Sequence, residues 1–340
     1  MPSAAIYDCE GSRLTPEERA FFRDADPWGF IVFARHCQSP EELRAHCNEL
    51  RECVGRGDTP ILIDQEGGRV ARMKPPDFPA HPAPALFGEL WKLNPKAARD
   101  AARLNGYLLG RLVGDCGVNV NCIPMLDVPQ PDADPTVIGD RAYAKNGDVI
   151  VDLARETVAG LKEAGVLPVI KHLPGHGRSL CDSHYSLPSV CASHDDLRTV
   201  DFSPFKAFAD ETLGMTAHVV YERLDADAPA TLSRTVIRDV IRGEIGFDGL
   251  LMTDDLKMKA LSGGVKDRVA GSLAAGCDIA LCCNFDMKQK IDAASAAPTL
   301  AGKSADRAAN ASSALRVVSD DRELSPLYAQ LESALHPVAA

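Results

Sequence analysis

Short apolar runs alternate with helix-start signals along the chain. The runs at residues 4–8, 28–33 and 61–64 are continuous and bounded by polar residues, which predicts buried strands. Thr15-Pro-Glu-Glu18 and Ser39-Pro-Glu-Glu42 each combine a capping hydroxyl, a proline in the first turn and a glutamate at the capping-box position, so they predict helix starts, the second helix running to about Val54. This alternation is typical of βα units that form a parallel sheet covered by helices.

The same alternation continues to the end of the chain. Further strands are predicted at residues 118–123, 166–170, 214–220, 249–253 and 278–283, and helices at 94–113, 148–164, 195–213, 233–245 and 266–275. The Pro- and Asp-rich segment 129–143 predicts a long functional loop. About eight strands without an internal linker predict one α/β domain over residues 1–340, a (β/α)8 TIM barrel with C-terminal helices from about residue 286 onward. A doubly wound open sheet is the alternative.

The polar residues that follow the apolar runs are candidates for a common site. In a barrel, the loops at the C-terminal ends of the strands build the ligand site, whereas an open sheet would gather only some of them at its switch point. We therefore expect convergence at one mouth of Asp64, Asp127, Lys171, His172, His218, Asp254 and Asn284.

Composition narrows the classes of function. The net charge of −11 and the absence of a basic patch argue against nucleic acid or an anionic membrane as a partner. We find neither a signal-peptide pattern nor an apolar segment that could span a bilayer, and we expect a cytoplasmic protein, monomeric rather than an obligate oligomer. The eleven cysteines are odd in number and lie in periodic segments, which favours reduced, buried thiols over a disulfide framework.

Asp254 and Asp255 end a predicted strand. One interpretation is a carboxylate that caps the next helix, and the other is a carboxylate at the barrel mouth that attacks an electrophilic carbon. Strand alternation puts the two acids on opposite sides and does not decide which one faces the mouth.

The loop from Lys171 to His184 is dense in ionisable residues. Asp182-Ser-His184 is either a solvated pair or an acid/base imidazole held by a carboxylate. His172 and His176 suggest zinc by their spacing, but Pro174-Gly175 between them disfavours a shared helix face, so we expect no metal. Lys171, like Arg72 and Arg141, is either surface charge or a donor to a polar ligand. The chain carries neither a phosphate-loop nor a dinucleotide-binding motif, nor the serine-hydrolase elbow.

Five segments in register resemble one known family. They are Asp64-Gln-Glu-Gly-Gly-Arg-Val-Ala-Arg72, Ile138-Gly-Asp-Arg141, Lys171-His-Leu-Pro-Gly-His-Gly177, Asp182-Ser-His184 and Gly249-Leu-Leu-Met-Thr-Asp-Asp-Leu256. Together they resemble the bacterial β-N-acetylhexosaminidases of glycoside hydrolase family three. The resemblance implies a TIM barrel and a retaining hydrolase of terminal, non-reducing, β-linked N-acetylglucosamine, without cofactor.

The resemblance also implies roles for individual residues. Asp254 corresponds to the nucleophile that forms a glycosyl-enzyme intermediate, His184 to the proton donor and acceptor, and Asp182 to the residue that orients His184. The family's sugar-binding positions correspond to Asp64, Arg72, Arg141, Lys171 and His172. Cis peptides are expected at Lys171-His172 and Leu173-Pro174, and closure of the loop around a bound sugar is a further hypothesis.

The chain differs from the family in two respects. Leu173 stands where the family usually has an aromatic residue, and we expect no extra C-terminal domain of the kind found in the larger β-glucosidases. In this second respect the chain resembles the compact, cell-wall-recycling branch of the family. That resemblance implies a substrate in which N-acetylglucosamine is joined to anhydro-muramic acid, with or without peptide. The alternatives are a phosphorylase that uses the same site, a metal-dependent barrel hydrolase using His172, His176 and His184, and an inactive sugar-binding regulator.

Overall fold

The computed structural model describes residues 1–181, 187–316, 318 and 320–338. Its strands are short and mostly buried, as expected for apolar runs covered on both faces. They are β1 Ser3–Tyr7, β2 Pro27–Val32, β3 Ile61–Ile63, β4 Val120–Asn121, β5 Leu167–Pro168, β6 Ile170–Leu173, β7 Ser189–Val190, β8 Leu213–Thr216, β9 Val220–Tyr221, β10 Asp225–Pro229, β11 Leu250–Met252 and β12 Ala280–Cys282.

The helices alternate with the strands. They are α1 Pro16–Ala25, α2 Pro40–Val54, α3 Pro84–Leu93, α4 Pro95–Gly114, α5 Gly147–Glu163, α6 His194–Asp196, α7 Phe202–Lys206, α8 Val265–Ala275, α9 Met287–Ala294, α10 Gly302–Ala314 and α11 Leu324–Leu335, with π-helical turns at Leu197–Asp201 and Val236–Glu244 and 3₁₀ turns at Ala34–His36, Gly139–Arg141, Ala230–Leu232 and His336–Val338. The predicted caps are confirmed, because Thr15, Ser39 and Asn94 each accept a hydrogen bond from the first turn of α1, α2 and α4.

Most of the strands pair in parallel with their neighbours, which confirms an α/β fold with a parallel sheet. One sheet has the order β12-β1-β2-β3-β4-β5 and the other the order β11-β8-β6. Two single-residue parallel bridges, Met125 to Lys171 and Met252 to Ile279, connect the ends of the two sheets. Among the described residues the ladder does not run as one closed barrel.

Several element boundaries differ from the sequence prediction. Helix over 195–213 was predicted, but the helical segment ends at Lys206 and Leu213 begins β8. The predicted strand 214–220 divides into β8 and β9, and β9 joins β7 and β10 in a separate small sheet. The structure adds α3, which the apolar pattern did not predict. The long segment 129–143 is a loop as predicted, with one 3₁₀ turn at Gly139–Arg141.

The core holds most of the cysteines. All eleven are free thiols, eight of them buried, as the sequence pattern predicted, while Cys191 is exposed. Leu173, at the position where the resemblance leads one to expect an aromatic residue, is fully buried in the main apolar cluster. Among the described residues, no helix combines the length and apolar character that a membrane crossing needs.

Candidate active site

A solvent-open cavity of about 300 Å³ lies where the parallel strands end at their carboxyl termini. Its volume is at the low end of the range typical of small-molecule sites. Of the residues expected to converge at one mouth, five line this cavity although they are distant in the chain: Asp64, Lys171, His172, Asp254 and Asn284. Asp127 and His218 are not part of the lining, whereas Arg72 and Arg141, the other two predicted sugar-binding residues, are.

The strand ends explain this convergence. Asp64 directly follows β3, and Asp254 lies two residues after β11, so both side chains stand at the same edge of the parallel sheets. Lys171 and His172 lie within β6 rather than in the loop after it, which differs from the sequence prediction. The peptide bonds Lys171-His172 and Leu173-Pro174 are cis, as the resemblance implied.

Asp64 is held between two cations. Lys171 Nζ donates to its Oδ1 at 2.9 Å, and Arg72 Nη2 donates to its Oδ2 at 3.0 Å. Burial by itself raises the pKa of a carboxyl, but the charges of Lys171 and Arg72 hold the pKa of Asp64 below its usual range. Asp64 is therefore an ionised hydrogen-bond acceptor at neutral pH.

Glu66 connects Lys171 to a third cation of the site, Arg141. It is buried, and its carboxylate accepts from Arg141 Nε and Nη2 at 2.9 and 2.8 Å, while Lys171 Nζ lies 2.6 Å from Oε1. Burial would raise the pKa of Glu66, but Arg141 and Lys171 lower it to about 2. Glu66 fixes Arg141 and Lys171 in place, a role that was not predicted from the sequence. We call Asp64, Glu66, Arg72, Arg141 and Lys171 the ionic cluster.

Asp127 contacts both His172 and His176. His172 Nδ1 lies 2.7 Å from its Oδ2, and the backbone N–H of His176 donates to its Oδ1 at 2.6 Å. Burial would raise the pKa of Asp127, but the neighbouring His172 and the hydrogen bonds that Asp127 receives lower this pKa. An ionised Asp127 keeps a proton on Nδ1 of His172 and fixes the plane of that ring.

Both acids of the Asp254-Asp255 pair line the cavity, because β11 ends at Met252 and its alternation does not continue through them. The backbone N–H of Asp255 donates to Asp254 Oδ1 at 2.8 Å. Burial opposes ionisation of Asp254, but the charges of His218 and His172 leave the pKa of Asp254 lowered overall. Burial raises the pKa of Asp255 to about 7, and the neighbouring Asp254 adds to this rise. We call these two residues the acid pair.

His218 stands behind the acid pair rather than in the cavity lining. Its Nε2 donates to the backbone oxygen of Asp255 at 3.0 Å, and Nδ1 lies 2.8 Å from the hydroxyl of Thr231. Burial lowers the pKa of His218, although the nearby Asp254 opposes this effect, and the ring supports the backbone of the acid pair. Asn284 does line the cavity, as expected.

Two of the predicted catalytic residues, Asp182 and His184, lie outside the described residues. Their roles stay predictions. In the described part of the chain, no group of three or more His, Cys, Asp or Glu side chains is arranged to hold a metal ion. His176 Nδ1 lies 2.7 Å from the Ser179 hydroxyl, and burial lowers the pKa of His176 to about 4.

Known proteins are similar to this chain in sequence and in fold. The model of the glycosyl hydrolase family 3 N-terminal domain matches residues 11–318. A β-hexosaminidase from Alkalilimnicola ehrlichii is 39% identical over 279 residues, covering 81% of this chain and 79% of the relative. A β-hexosaminidase from Bordetella avium is 36% identical over 289 residues, covering 83% of this chain and 81% of the relative.

A solved structure with a similar fold carries a bound sugar. It is described as NagZ from Neisseria gonorrhoeae in complex with N-trifluoroacetyl-D-glucosamine. It superposes with a TM-score of 0.88 at 29% identity, covering 98% of each chain.

Proposed function

This chain belongs to glycoside hydrolase family 3, and on that premise we propose that it is a β-N-acetylhexosaminidase. It removes terminal, non-reducing, β-linked N-acetylglucosamine with retention of configuration. The observation that carries the proposal is the cavity itself, in which a partly buried, ionised Asp254 lies with the ionic cluster. Relatives named β-hexosaminidase and the neighbour that holds an N-acylated glucosamine support the choice of sugar.

We propose that the parallel strands form a single (β/α)8 barrel domain spanning residues 1–340. The two bridges that connect the sheets, from Met125 to Lys171 and from Met252 to Ile279, lie where such a barrel would close. This arrangement supports the view that the carboxyl ends of all the strands face one site.

The ionic cluster and His172 hold the sugar. Lys171, Arg72 and Arg141 carry donors that suit hydroxyl and carbonyl oxygens, and the ionised Asp64 accepts from hydroxyls. Because Glu66 and Asp127 fix Lys171, Arg141 and His172 before substrate arrives, little side-chain freedom is lost on binding. Such an array recognises the non-reducing end of a polar ring.

Asp254 acts as the nucleophile. Its carboxylate forms a bond to the anomeric carbon through an oxocarbenium-like transition state, while the bond to the leaving oxygen breaks and that oxygen takes a proton. Water then attacks the same carbon, loses a proton to the base and releases the enzyme carboxylate. We assign the proton transfers to His184 and the orientation of His184 to Asp182, on the strength of the family motif alone.

We propose muropeptide fragments, N-acetylglucosamine joined to anhydro-muramic acid with or without peptide, as the substrate. The support is the resemblance to the compact branch that recycles cell wall. We further propose that the reaction takes place in the cytoplasm and that the protein acts as a monomer.

Trapping the intermediate tests the mechanism. A fluorinated N-acetylglucosamine donor, followed by peptide mapping, is expected to label Asp254. A label on another residue, or turnover without any label, would contradict the assignment. Turnover of a chromogenic N-acetylglucosaminide with and without phosphate distinguishes the hydrolase from a phosphorylase, because only the latter forms the sugar phosphate.

A further inference from the structure

The three cations of the ionic cluster are held in place to different degrees. Arg141 donates to Glu66 through both Nε and Nη2, and Lys171 Nζ lies between Asp64 and Glu66, at 2.9 and 2.6 Å. Among the described residues, Arg72 donates a single side-chain hydrogen bond, from Nη2 to Asp64 at 3.0 Å, and its buried Nε has no partner. One hydrogen bond does not fix the plane of a guanidinium, so a further contact is needed to orient Arg72.

The further contact is the aromatic ring of Phe33. Arg72 Cζ lies over this ring, 5.5 Å from its centroid, which is within the range of a cation–π interaction. Phe33 directly follows β2, is half-buried and lines the active-site cavity. Strand β2 pairs with β3, and Asp64 directly follows β3. The ring and the carboxylate that contact Arg72 therefore come from the ends of two neighbouring strands.

Phe33 is itself fixed by its neighbours. Its backbone N–H donates to His36 Nδ1 at 2.9 Å, and its backbone oxygen accepts from the N–H of His36 at 2.9 Å. A second guanidinium, that of Arg35, has its Cζ 5.0 Å from the ring centroid. Arg35 in turn donates to Asn284 Oδ1 and to the backbone oxygen of Cys9, each at 2.9 Å. The ring is thus held in place by contacts that do not involve a ligand.

A cation–π contact suits an arginine that binds sugar hydroxyls. The ring attracts the positive charge without offering a hydrogen-bond acceptor, so it does not need to occupy the N–H groups of Arg72. A second carboxylate in the place of the ring would accept from these groups and compete with the sugar. Arg72 lines the cavity, and the Nη donors that Asp64 does not use remain available to a ligand.

We propose that Phe33 is a positioning residue for sugar binding, whose ring holds the guanidinium of Arg72 beside Asp64 so that its donors meet a sugar hydroxyl. The inference rests on the proposed function, because it needs Arg72 to bind the sugar. Phe33 acts through Arg72 and not on the reacting atoms. Its loss therefore weakens sugar binding more than it slows the chemical step.

Substitutions at Phe33 test the proposal with para-nitrophenyl N-acetyl-β-glucosaminide as substrate. Phe33→Leu stays apolar but removes the ring, so KM is expected to rise about fivefold while kcat changes less than about twofold, the effect of one cation–π contact. The dissociation constant of N-acetylglucosamine, measured by calorimetry, should rise by the same factor. Phe33→Met, which also lacks the ring, should repeat the result, and Phe33→Tyr, which keeps it, should restore KM to within about twofold of the wild type. Phe21→Leu is the matched control, because Phe21 is also half-buried but lies on α1, away from the cavity lining.

A double-mutant cycle with Arg72→Ala separates positioning from simple packing. If Phe33 acts through Arg72, Phe33→Leu should change kcat/KM by less than about twofold once Arg72 is replaced by alanine. An equal loss in both backgrounds, a loss in Phe33→Tyr as large as that in Phe33→Leu, or an unchanged KM in the Leu and Met variants overturns the proposal. Each of these results leaves the β-N-acetylhexosaminidase assignment standing. If the wild-type protein does not cleave the substrate, the proposed function is overturned and the role of Phe33 with it.

Discussion

The two sides of the active-site cavity use carboxylates in opposite ways. On one side, Asp64 and Glu66 are each paired with two cations at 2.6 to 3.0 Å. On the other side, no lysine or arginine of the described residues forms an ion pair with the acid pair. Asp254 receives a backbone N–H, and Asp255 has its pKa raised to about 7.

This difference matches the difference in task. A residue that binds ground-state hydroxyls gains from being fixed and fully ionised, because a rigid acceptor loses little entropy on binding. A nucleophile whose oxygens were engaged by cations would be a poorer attacking group, because its lone pairs would be occupied and its charge neutralised. The side with Asp64 and Glu66, which we call the paired side, therefore serves binding. The side with Asp254 and Asp255, which we call the unpaired side, serves the chemistry.

The largest effect is expected from Asp254→Asn. The amide is nearly the same size but is a much weaker nucleophile, so kcat should fall by roughly 10³-fold or more. Steady-state turnover of an aryl N-acetylglucosaminide measures this, and the thermal unfolding midpoint should stay close to that of the wild type. A variant that keeps more than a tenth of the activity would place the nucleophile elsewhere.

Glu66→Gln removes one of the two carboxylates of the paired side. The substitution removes the counter-charge of Arg141 and leaves Lys171 paired with Asp64 alone, so the free energy of unfolding should fall by about 3 kcal/mol and KM should rise more than kcat falls. Urea unfolding and steady-state kinetics measure the two effects. Glu89→Gln, at an exposed ion pair with Lys92, is the control and should change neither.

The same variant has a pH signature. The folded pKa of Glu66 is lowered to about 2, whereas an unperturbed glutamate titrates near about 4.3. Its contribution to stability is therefore present above about pH 4.3 and is lost as the pH falls toward about 2. The stability difference between wild type and Glu66→Gln should narrow over that interval, and a difference that stays constant would show that ionisation of Glu66 is not its source.

Part of this division could be predicted from the sequence. Asp64 and Asp254 follow short apolar runs, and strand ends of a parallel sheet meet at one edge, so their convergence needed no structure. Glu66 lies two residues beyond Asp64 in the same segment, but sequence does not show which carboxylate is buried or which cations reach it. Asp127 was expected at the mouth, yet its contact with His172 depends on three-dimensional packing.

Other features could not be predicted for reasons of local geometry. Helix propensity in the segment 195–213 is overridden after Lys206, where the chain turns to bring Leu213 into the sheet. Alternation suggested that the acid pair would face opposite sides, but alternation holds only within a strand, and β11 ends before Asp254.

Asp255→Asn tests the protonation of Asp255 on the unpaired side. Because burial raises the folded pKa of Asp255 to about 7, above the value of about 3.9 for a free aspartate, the protonated form is favoured by folding. Its stabilisation is fully present below about pH 4 and is lost as the pH rises through about 7. The unfolding free energy of Asp255→Asn relative to wild type should thus increase by roughly 4 kcal/mol between about pH 4 and 8, since each pKa unit corresponds to about 1.4 kcal/mol.

Urea unfolding at a series of pH values measures this increase. Asp292→Asn, an exposed carboxylate on α9, is the matched control and should follow the wild-type profile. A profile for Asp255→Asn parallel to that of the wild type would mean that the pKa of Asp255 in the folded protein is close to that of a free aspartate.

The smallest effect is expected from Asp140→Asn, next in sequence to Arg141. Arg69 Nε donates to Asp140 at 2.8 Å, but both side chains are more than 40% exposed, with values of 44% and 47%. Exposed pairs contribute about 0–1 kcal/mol, so KM should change by less than about twofold and the unfolding midpoint should hardly move. Measured beside Glu66→Gln, the variant compares two ion pairs that both involve an arginine of the cavity lining. Equal losses in the two variants would show that proximity to the cavity, rather than burial of the pair, determines how much each carboxylate matters.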